Sequence, residues 1–252
     1  MKYHAPLFFF VAYVVYTCCA PLLGDDTALA QDRSKLIFTD DFNRDDGSTD
    51  KDAIGNDWGS NSKSRAGGHK QVFLKDGAMH IEMHPTADHA VSVTHEAEFC
   101  DGSVELRFML EDAQDTLGLD FADLQLKEVH AGHLFKVTVG VKRVDIDDSK
   151  SGGMNMKFYE QKKAKTLTPE QQKFIVSKKK GFPIALEAGK WYGLSVEIAG
   201  DTVNVAVDGK NVGSFSSEGF AHPTKRMLRL SVPRKAVVDD VKIFSRPDVA
   251  AK

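Results

Sequence analysis

The stretch "KWYGLSVEIAGDTVNVAVDGKNVGSF", residues 190–215, alternates apolar and polar residues through two runs joined by short turns. In the first run the apolar residues recur at every second position, at Tyr192, Leu194, Val196 and Ile198. In the second run Val203, Val205 and Val207 do the same, and Asp208-Gly209 is a dipeptide that favours a tight hairpin turn. A period of two residues predicts antiparallel strands with one buried face and one wet face.

The same alternation recurs along most of the chain and predicts an all-β fold. It is seen in "DGAMHIEM" (76–83), "GSVELRFML" (102–110), "MLRLSVP" (227–233) and "VVDDVKIF" (237–244). One segment differs, because "TPEQQKFIVSKKK" carries Thr168, Pro169 and Gln171 in the order of a capping box. We therefore expect a two-sheet sandwich or barrel with one short helix, about 168–179, in a lysine-rich insertion at about 149–189.

The N-terminus has the features of an export signal, with an apolar run followed by the small-residue site "ALA" at 28–30. This predicts a signal peptide at 1–30, a single domain at 31–252, and a protein that is secreted or held in the periplasm or cell envelope. A lipidated Cys18 or Cys19 and a retained membrane anchor are the alternatives. The formal net charge of −3 gives no reason to expect nucleic acid as a partner, or a membrane after signal cleavage.

Three further stretches carry a resemblance to a known family. "LIFTDDFNR" (36–44) with "IGNDW" (54–58) resembles the first strand and turn of concanavalin A-like sandwiches, and "FLKDGAMHIE" (73–82) is similar to their next strand pair. The order of these motifs is similar to that of the 3-keto-disaccharide hydrolase family over residues 36–245, outside the helical insertion. The resemblance implies a jelly roll of two antiparallel sheets that holds an oligo- or polysaccharide and cleaves glycosides oxidised at the 3-position.

The chemistry implied by that family differs from ordinary glycoside hydrolysis. A 3-keto group acidifies the neighbouring C–H bond, so elimination requires a base, an acid for the leaving oxygen and a stabiliser for the enolate. Glycosidases of this fold instead use paired carboxylates in an E-x-D-x-x-E strand, whereas "VELRF" and "IEMHP" carry one glutamate each. Retaining hydrolysis through that motif is therefore not expected.

The stretch "EVHAGHLFKV", 128–137, supplies the candidate catalytic residues. We expect His133 to be the acid or base, because histidine titrates near neutral pH, with His130 and Glu105 assisting. Strand alternation from 133 to 141 would place His133 on the same side as Phe135 and Val137. The alternative is a pair of structural histidines at a turn, and the spacing does not match a zincin-type metal site.

Polar residues on strands and in one loop are the candidate substrate contacts. Arg107, Glu82 and His80 lie on the polar sides of their predicted strands, and His222 lies in a loop before Pro223. The alternative for the strand residues is a plain solvated sheet face. No metal and no cofactor is expected, since the acidic segment 41–52 has calcium-loop spacing without glycine at the sixth position.

Three functions remain open from the sequence. The first is an enzyme that cleaves 3-keto-glycosides. The second is a non-catalytic, lectin-like carbohydrate-binding module. The third is a structural envelope protein whose lysine-rich insertion contacts a partner. The insertion itself is either a solvated surface segment or a segment that meets an anionic glycan or polymer at the edge of a site.

Overall fold

A computed structural model describes Met1 and residues 34–247, and the remainder of the predicted signal peptide lies outside the described residues. In this part of the chain the strands form two antiparallel sheets. Sheet 1 contains β1 (Lys35–Asp40), β3 (Val72–Lys75), β4 (Ala78–Glu82), β6 (Asp101–Met109), β11 (Trp191–Ala199), β12 (Thr202–Val207), β13 (Lys210–Ser216) and β15 (Lys235–Arg246). Sheet 2 contains β2 (Gly59–Ser60), β5 (Val91–Phe99), β7 (Thr116–Ala122), β8 (His133–Gly140), β9 (Arg143–Asp147), β10 (Lys179–Pro183) and β14 (Lys225–Val232).

Neighbouring strands in each sheet are mostly distant in sequence. The order in sheet 1 is β13-β12-β11-β6-β15-β4-β3, with β1 beside the second half of β15. The order in sheet 2 is β10-β9-β8-β7-β14-β5-β2. This arrangement confirms the predicted all-β sandwich.

The core lies between the two sheets, where alternate side chains of each strand meet. Val104, Leu106 and Phe108 of β6 and Leu119 and Phe121 of β7, in the other sheet, are all buried within one hydrophobic cluster. The intervening Ser103, Glu105 and Arg107 of β6 and Asp120 of β7 are polar, as the two-residue period predicts. Each sheet therefore has one outer face on which polar side chains are displayed.

Two local details refine the predicted strands. The hairpin between β12 and β13 turns at Asp208 and Gly209, whose φ angles of 48° and 71° are left-handed. The segment "VVDDVKIF" is not a regular strand, because the register shifts between Asp239 and Lys242. Asp240 has a φ of 50° within this bulge.

The predicted insertion contains more regular structure than expected. Helix α3 (Pro169–Ser177) has the predicted capping box, with Thr168 accepting from the Gln171 amide. A helix that the sequence analysis missed, α2 (Met156–Lys163), precedes it, and β10 follows. A further short helix, α1, spans Ser62–Arg65. Within residues 34–247 none of the helices is long and apolar enough to cross a membrane.

Candidate functional site

The outer face of sheet 2 carries a row of side chains that crosses the sheet, here called the charged row. Strand register aligns one residue from each of six strands: Thr94, Arg229, Asp120, Lys136, Asp147 and Lys179. At its centre Asp120 lies between the core residues Leu119 and Phe121, so its carboxylate points away from the core. The row therefore alternates positive and negative charge along five adjacent strands, from Arg229 to Lys179.

A histidine joins this row at its centre. The Nδ1 atom of His133 lies 2.5 Å from Oδ2 of Asp120, and Nη1 of Arg229 lies 3.2 Å from the same nitrogen. A carboxylate only accepts hydrogen bonds, so we assign the Nδ1 proton to the bond with Asp120, which leaves Nε2 to exchange a proton. The side chain of Asp120 is 6% exposed and that of His133 is 27% exposed. A buried carboxylate thus orients a ring that solvent can reach.

Asp120 retains unused hydrogen-bonding capacity. Its Oδ1 atom is buried and has no hydrogen-bond partner among the described residues. Arg229 also lies 3.7 Å from Oδ2, so the carboxylate has a cation on one side and the imidazole on the other. The Oδ1 atom is therefore an acceptor held beneath the surface of the charged row, next to the more exposed ring of His133.

The turn before His133 is strained and tightly held. Ala131 and Gly132 both have left-handed φ angles, 49° and 69°. The Ala131 carbonyl accepts from Nη2 of Arg229 at 2.8 Å, and the Gly132 carbonyl accepts from the Asp123 amide at 2.9 Å. Left-handed backbone at a non-glycine residue persists only where its surroundings fix it. These contacts therefore position His133 at the start of β8.

The predicted face of His133 is wrong. A register shift pairs Phe121 with Phe135 but Ala122 with His133, so two residues of β8 stand where alternation allows one. Phe135 consequently points into the core, whereas the His133 ring reaches Asp120 on the outer face. A β-bulge commonly redirects a side chain in this way next to a functional site.

His130 forms the edge of the site beside the insertion. Its ring stacks on Tyr159 of α2 with 3.7 Å between centroids, and its centroid lies 6.5 Å from that of His133. Burial, followed by the neighbouring His133, lowers the pKa of His130 below its usual 6.5. His130 is therefore neutral at neutral pH and helps hold the insertion against the site.

His222 lies in a second pair, behind the first. Its Nε2 is 3.1 Å from Oδ2 of Asp123, and both side chains are about nine-tenths buried. Burial would raise the pKa of Asp123, but the bond from His222, the Gln125 amide and the charge of Arg226 together lower it. Because the Asp123 amide bonds Gly132, this pair supports the turn that holds His133.

The other predicted site residues lie on the opposite side of the sandwich. Glu105 and Arg107 of β6 point outward from sheet 1, and Arg107 pairs with Asp239 at 3.2 Å. His80 and Glu82 of β4 share that outer face, where Glu82 pairs with Lys235 at 2.8 Å. The structure therefore does not bring these four residues together with His130 and His133, because the core separates the two outer faces.

Asp120 and Arg229 were missed by the sequence analysis. Both interrupt apolar strands, Asp120 in "LGLDFAD" and Arg229 in "MLRLSVP", so each could have been recognised as an outward polar residue. Their meeting with His133 depends on strands distant in sequence, for which a single strand gives no signal. In the acidic segment, Asp41 and Asp52 bond nearby groups, and no group of three or more metal-ligating side chains occurs in 34–247.

A second row, here called the small-residue row, runs beside the charged row. It comprises six residues, each paired by strand register with the next one on the neighbouring strand: Ser92, Ser231, Gly118, Thr138, Asp145 and Gly181. On the other side of the charged row, Glu96, Leu124 and Met227 line a cleft of about 350 Å³. Small hydroxyl-bearing residues leave open, polar space along the charged row, on the side of Asp120 opposite the His133 backbone, which suits a ligand rich in hydroxyl groups.

Comparison with known proteins identifies the fold. No family model and no curated protein sequence matches the chain. Among solved structures, SCLam, a non-specific endo-β-1,3(4)-glucanase from family GH16, is similar with a TM-score of 0.55 and 14% identity, covering 85% of this chain and 92% of that one. A laminarinase from Rhodothermus marinus has a TM-score of 0.55 and 11% identity over 85% and 98% of the two chains. The laminarinase catalytic domain from Thermotoga maritima has a TM-score of 0.52 and 16% identity over 86% and 100%.

These likenesses confirm the predicted jelly-roll sandwich of two antiparallel sheets. At 11–16% identity they concern the fold alone.

Proposed function

We propose that this protein binds an oligo- or polysaccharide on the outer face of sheet 2 and cleaves glycosides oxidised at the 3-position. The observation that carries the proposal is the 2.5 Å contact between His133 Nδ1 and Asp120 Oδ2 on an open polar face. A histidine oriented by a buried carboxylate, with its second nitrogen free to accept a proton, is the usual arrangement of a general base. The glucanases that share the fold support a saccharide as the ligand class.

The chemistry would proceed by elimination followed by addition of water. His133 Nε2 removes the proton from the carbon between the keto group and the anomeric carbon, and the electron pair forms an enolate. When the enolate collapses, the anomeric C–O bond breaks, and the leaving oxygen takes the proton from His133. Water then adds across the new C=C bond, so the net reaction is hydrolysis. The charge of Arg229 lies beside the histidine and favours the negative charge that develops.

The same geometry argues against a mechanism with paired carboxylates. Asp120 is the carboxylate at the centre of the face, and it is bound by His133 and flanked by Arg229. Its neighbours across the strands are the cations Arg229 and Lys136, not a second carboxylate. A retaining glycosidase needs two carboxyl groups about 5–5.5 Å apart across the scissile bond.

The test is sugar release by purified protein that begins at Gln31. A panel of 3-keto-disaccharides and their unoxidised parents would be incubated with the wild type, His133→Ala and Asp120→Asn, and products would be separated by chromatography. We expect release from keto substrates only, lost in His133→Ala and reduced by about 100-fold or more in Asp120→Asn, where the tautomer is no longer fixed. His69→Ala is the matched control, because His69 is an exposed histidine that stacks on His84.

Two outcomes would overturn the proposal. Release that persists in His133→Ala would remove this residue from the chemistry. Saccharide binding without any release would favour the lectin-like module instead.

Export belongs to the same proposal, since an extracellular polysaccharide is reached only outside the cytoplasm. We propose that the leader is cleaved after Ala30, the last residue of the "ALA" site that follows the apolar run. Mass spectrometry of the exported protein would give a mature chain that begins at Gln31. A lipid adduct on Cys18 or Cys19, or an intact leader, would contradict it.

A further inference from the structure

Lys136 occupies an unusual position at the centre of the charged row. Register places it directly between Asp120 and Asp147, yet it has no ion pair with any residue of the described chain. Asp120 is bound by His133, and Asp147 is bound by Lys179 at 2.5 Å. One oxygen of each neighbouring carboxylate therefore has another partner, and Lys136 forms no ion pair with the second oxygen of either, Oδ1.

The side chain of Lys136 leans over the small-residue row. A Cβ atom added to Gly118 would lie 3.3 Å from Cδ of Lys136, so the aliphatic stem passes above this glycine. Gly118 is flanked in that row by Ser231 and Thr138. The side chain is thus directed over the small-residue row, on the side of Asp120 opposite the His133 backbone.

Helix α2 adds further unpaired cations at the edge of the same face. Lys162 lines a cleft with Asp147 and Lys179, and the charge of Lys163 contributes to lowering the pKa of His130. Neither lysine has an ion pair among the described residues. The whole insertion, 149–189, contains nine lysines and three glutamates, in a chain whose net charge is −3.

The outer face of sheet 1 differs in its charges, because two cations there are found in ion pairs with carboxylates. These are Arg107, paired with Asp239, and Lys235, paired with Glu82. Asp240 adds an acid to the same face. Surplus positive charge is therefore concentrated on the side of the sandwich that holds His133.

We propose that the saccharide bound on sheet 2 is anionic, and that its carboxylate or sulfate group is held by Lys136, with Lys162 and Lys163 of α2 alongside. The inference rests on the proposed function and narrows its substrate class. An ammonium group is a suitable partner for either anion, because it offers three donors and a full charge. A cluster of unpaired cations also raises the local concentration of an anionic ligand.

The test compares binding of three probes of equal length: an oligogalacturonate, a sulfated dextran oligosaccharide and a neutral malto-oligosaccharide. Dissociation constants would be measured by calorimetry for the wild type and for Lys136→Gln, Lys163→Gln and Lys242→Gln. Glutamine keeps most of the length and a hydrogen-bond donor but removes the charge. Lys242 is the matched control, because it is an exposed strand lysine on the outer face of sheet 1.

We expect the wild type to bind at least one anionic probe about tenfold or more tightly than the neutral probe, with the preference declining as salt is added. Lys136→Gln should remove most of that preference, Lys163→Gln a smaller part, and Lys242→Gln none. The galacturonate and sulfate arms show which anion is preferred. Equal affinity for neutral and anionic probes, or equal loss in Lys242→Gln, would overturn the inference.

Failure of this inference and failure of the proposed function are distinguishable. Release from neutral 3-keto-disaccharides that depends on His133, without any preference for anions, would refute only the inference. Anion binding that depends on Lys136, without cleavage of any keto substrate, would retain the inference and refute the enzymatic proposal.

Discussion

Replacing Asp40 by alanine should be among the most damaging single changes in this protein. Asp40 ends β1, and its side chain is 2% exposed. Its two oxygens accept five hydrogen bonds: Arg44 donates two at 2.7 and 2.9 Å, Trp58 Nε1 one at 2.8 Å, and Asn56 and the Phe42 amide one each at 2.9 Å. One carboxylate therefore ties β1 to the segment that leads into β2.

The cost follows from the donors that alanine would leave behind. Removing one partner of a buried ion pair costs about 3–5 kcal/mol, because the remaining charge and donors are left unsatisfied. Arg44 is 29% exposed and recovers some hydration, whereas the indole N–H of Trp58 is buried and does not. We therefore expect the free energy of unfolding to fall by about 4 kcal/mol, which lowers the melting temperature by roughly 10 °C for a domain of this size.

Equilibrium unfolding in urea, followed by tryptophan fluorescence and circular dichroism, measures this change. Asp41→Ala is the matched control, because Asp41 is exposed and accepts one bond from the Asn43 amide at 3.1 Å. It should leave the free energy of unfolding nearly unchanged. Equal stability of the two variants would refute the argument that the Asp40 bonds hold β1 in place.

The same carboxylate predicts a response to acid. Burial would raise the pKa of Asp40, but the bonds from Arg44 and its other donors outweigh burial and hold the pKa below 3.8. A lowered carboxyl pKa contributes stability above pH 3.8, and this contribution is lost as the pH falls through the folded-state value. Asp40→Ala should therefore show a smaller loss of stability below about pH 4 than the wild type.

Three further predictions concern other parts of the fold. Gly132→Ala should lower both the free energy of unfolding and the rate of sugar release, because a Cβ atom would lie 2.3 Å from the Asp123 carbonyl oxygen. Gly200→Ala is the control, since Gly200 has a similar φ but open space around it, so this variant should lose only the stability that backbone strain costs. Urea unfolding and sugar release would be measured for both variants. Burial lowers the pKa of His95, so the wild type should lose stability as the pH falls through 6.5. His95→Phe should therefore make the free energy of unfolding, measured in urea, depend less on pH between about pH 7 and 5. Thr168→Ala should cost α3 about 1 kcal/mol and speed amide hydrogen exchange in its first turn, whereas unchanged exchange would contradict the capping role.

Local sequence patterns determined most of the secondary structure. The alternation in "KWYGLSVEIAGDTVNVAVDGKNVGSF" placed β11, β12 and the Asp208-Gly209 turn, because side-chain direction in a strand depends only on neighbouring positions. The capping box likewise identified α3 from residues within one helical turn. Helix α2 was missed because Asn155 and the residues after it offer no comparable apolar period.

The candidate site was only half visible in the sequence. His133 and the glycine turn before it were recognised, but Glu105 and Arg107 were grouped with them although they lie across the core. The polar side of a strand can be predicted from alternation, whereas the sheet to which that strand belongs cannot. The bulge that turns His133 outward is also a property of strand pairing.

By itself, the sequence determined that this chain forms antiparallel strands with one wet face, because that outcome needs only the local period and turn chemistry. The tertiary structure alone decided which wet face carries the site. Asp120, His133 and Arg229 come from three strands, and Asp120 and Arg229 are 109 positions apart in the sequence. The pairing of these strands brings the three side chains within 4 Å of one another. The order of strands in a sheet follows from how the whole core packs, so no single segment could have shown this meeting.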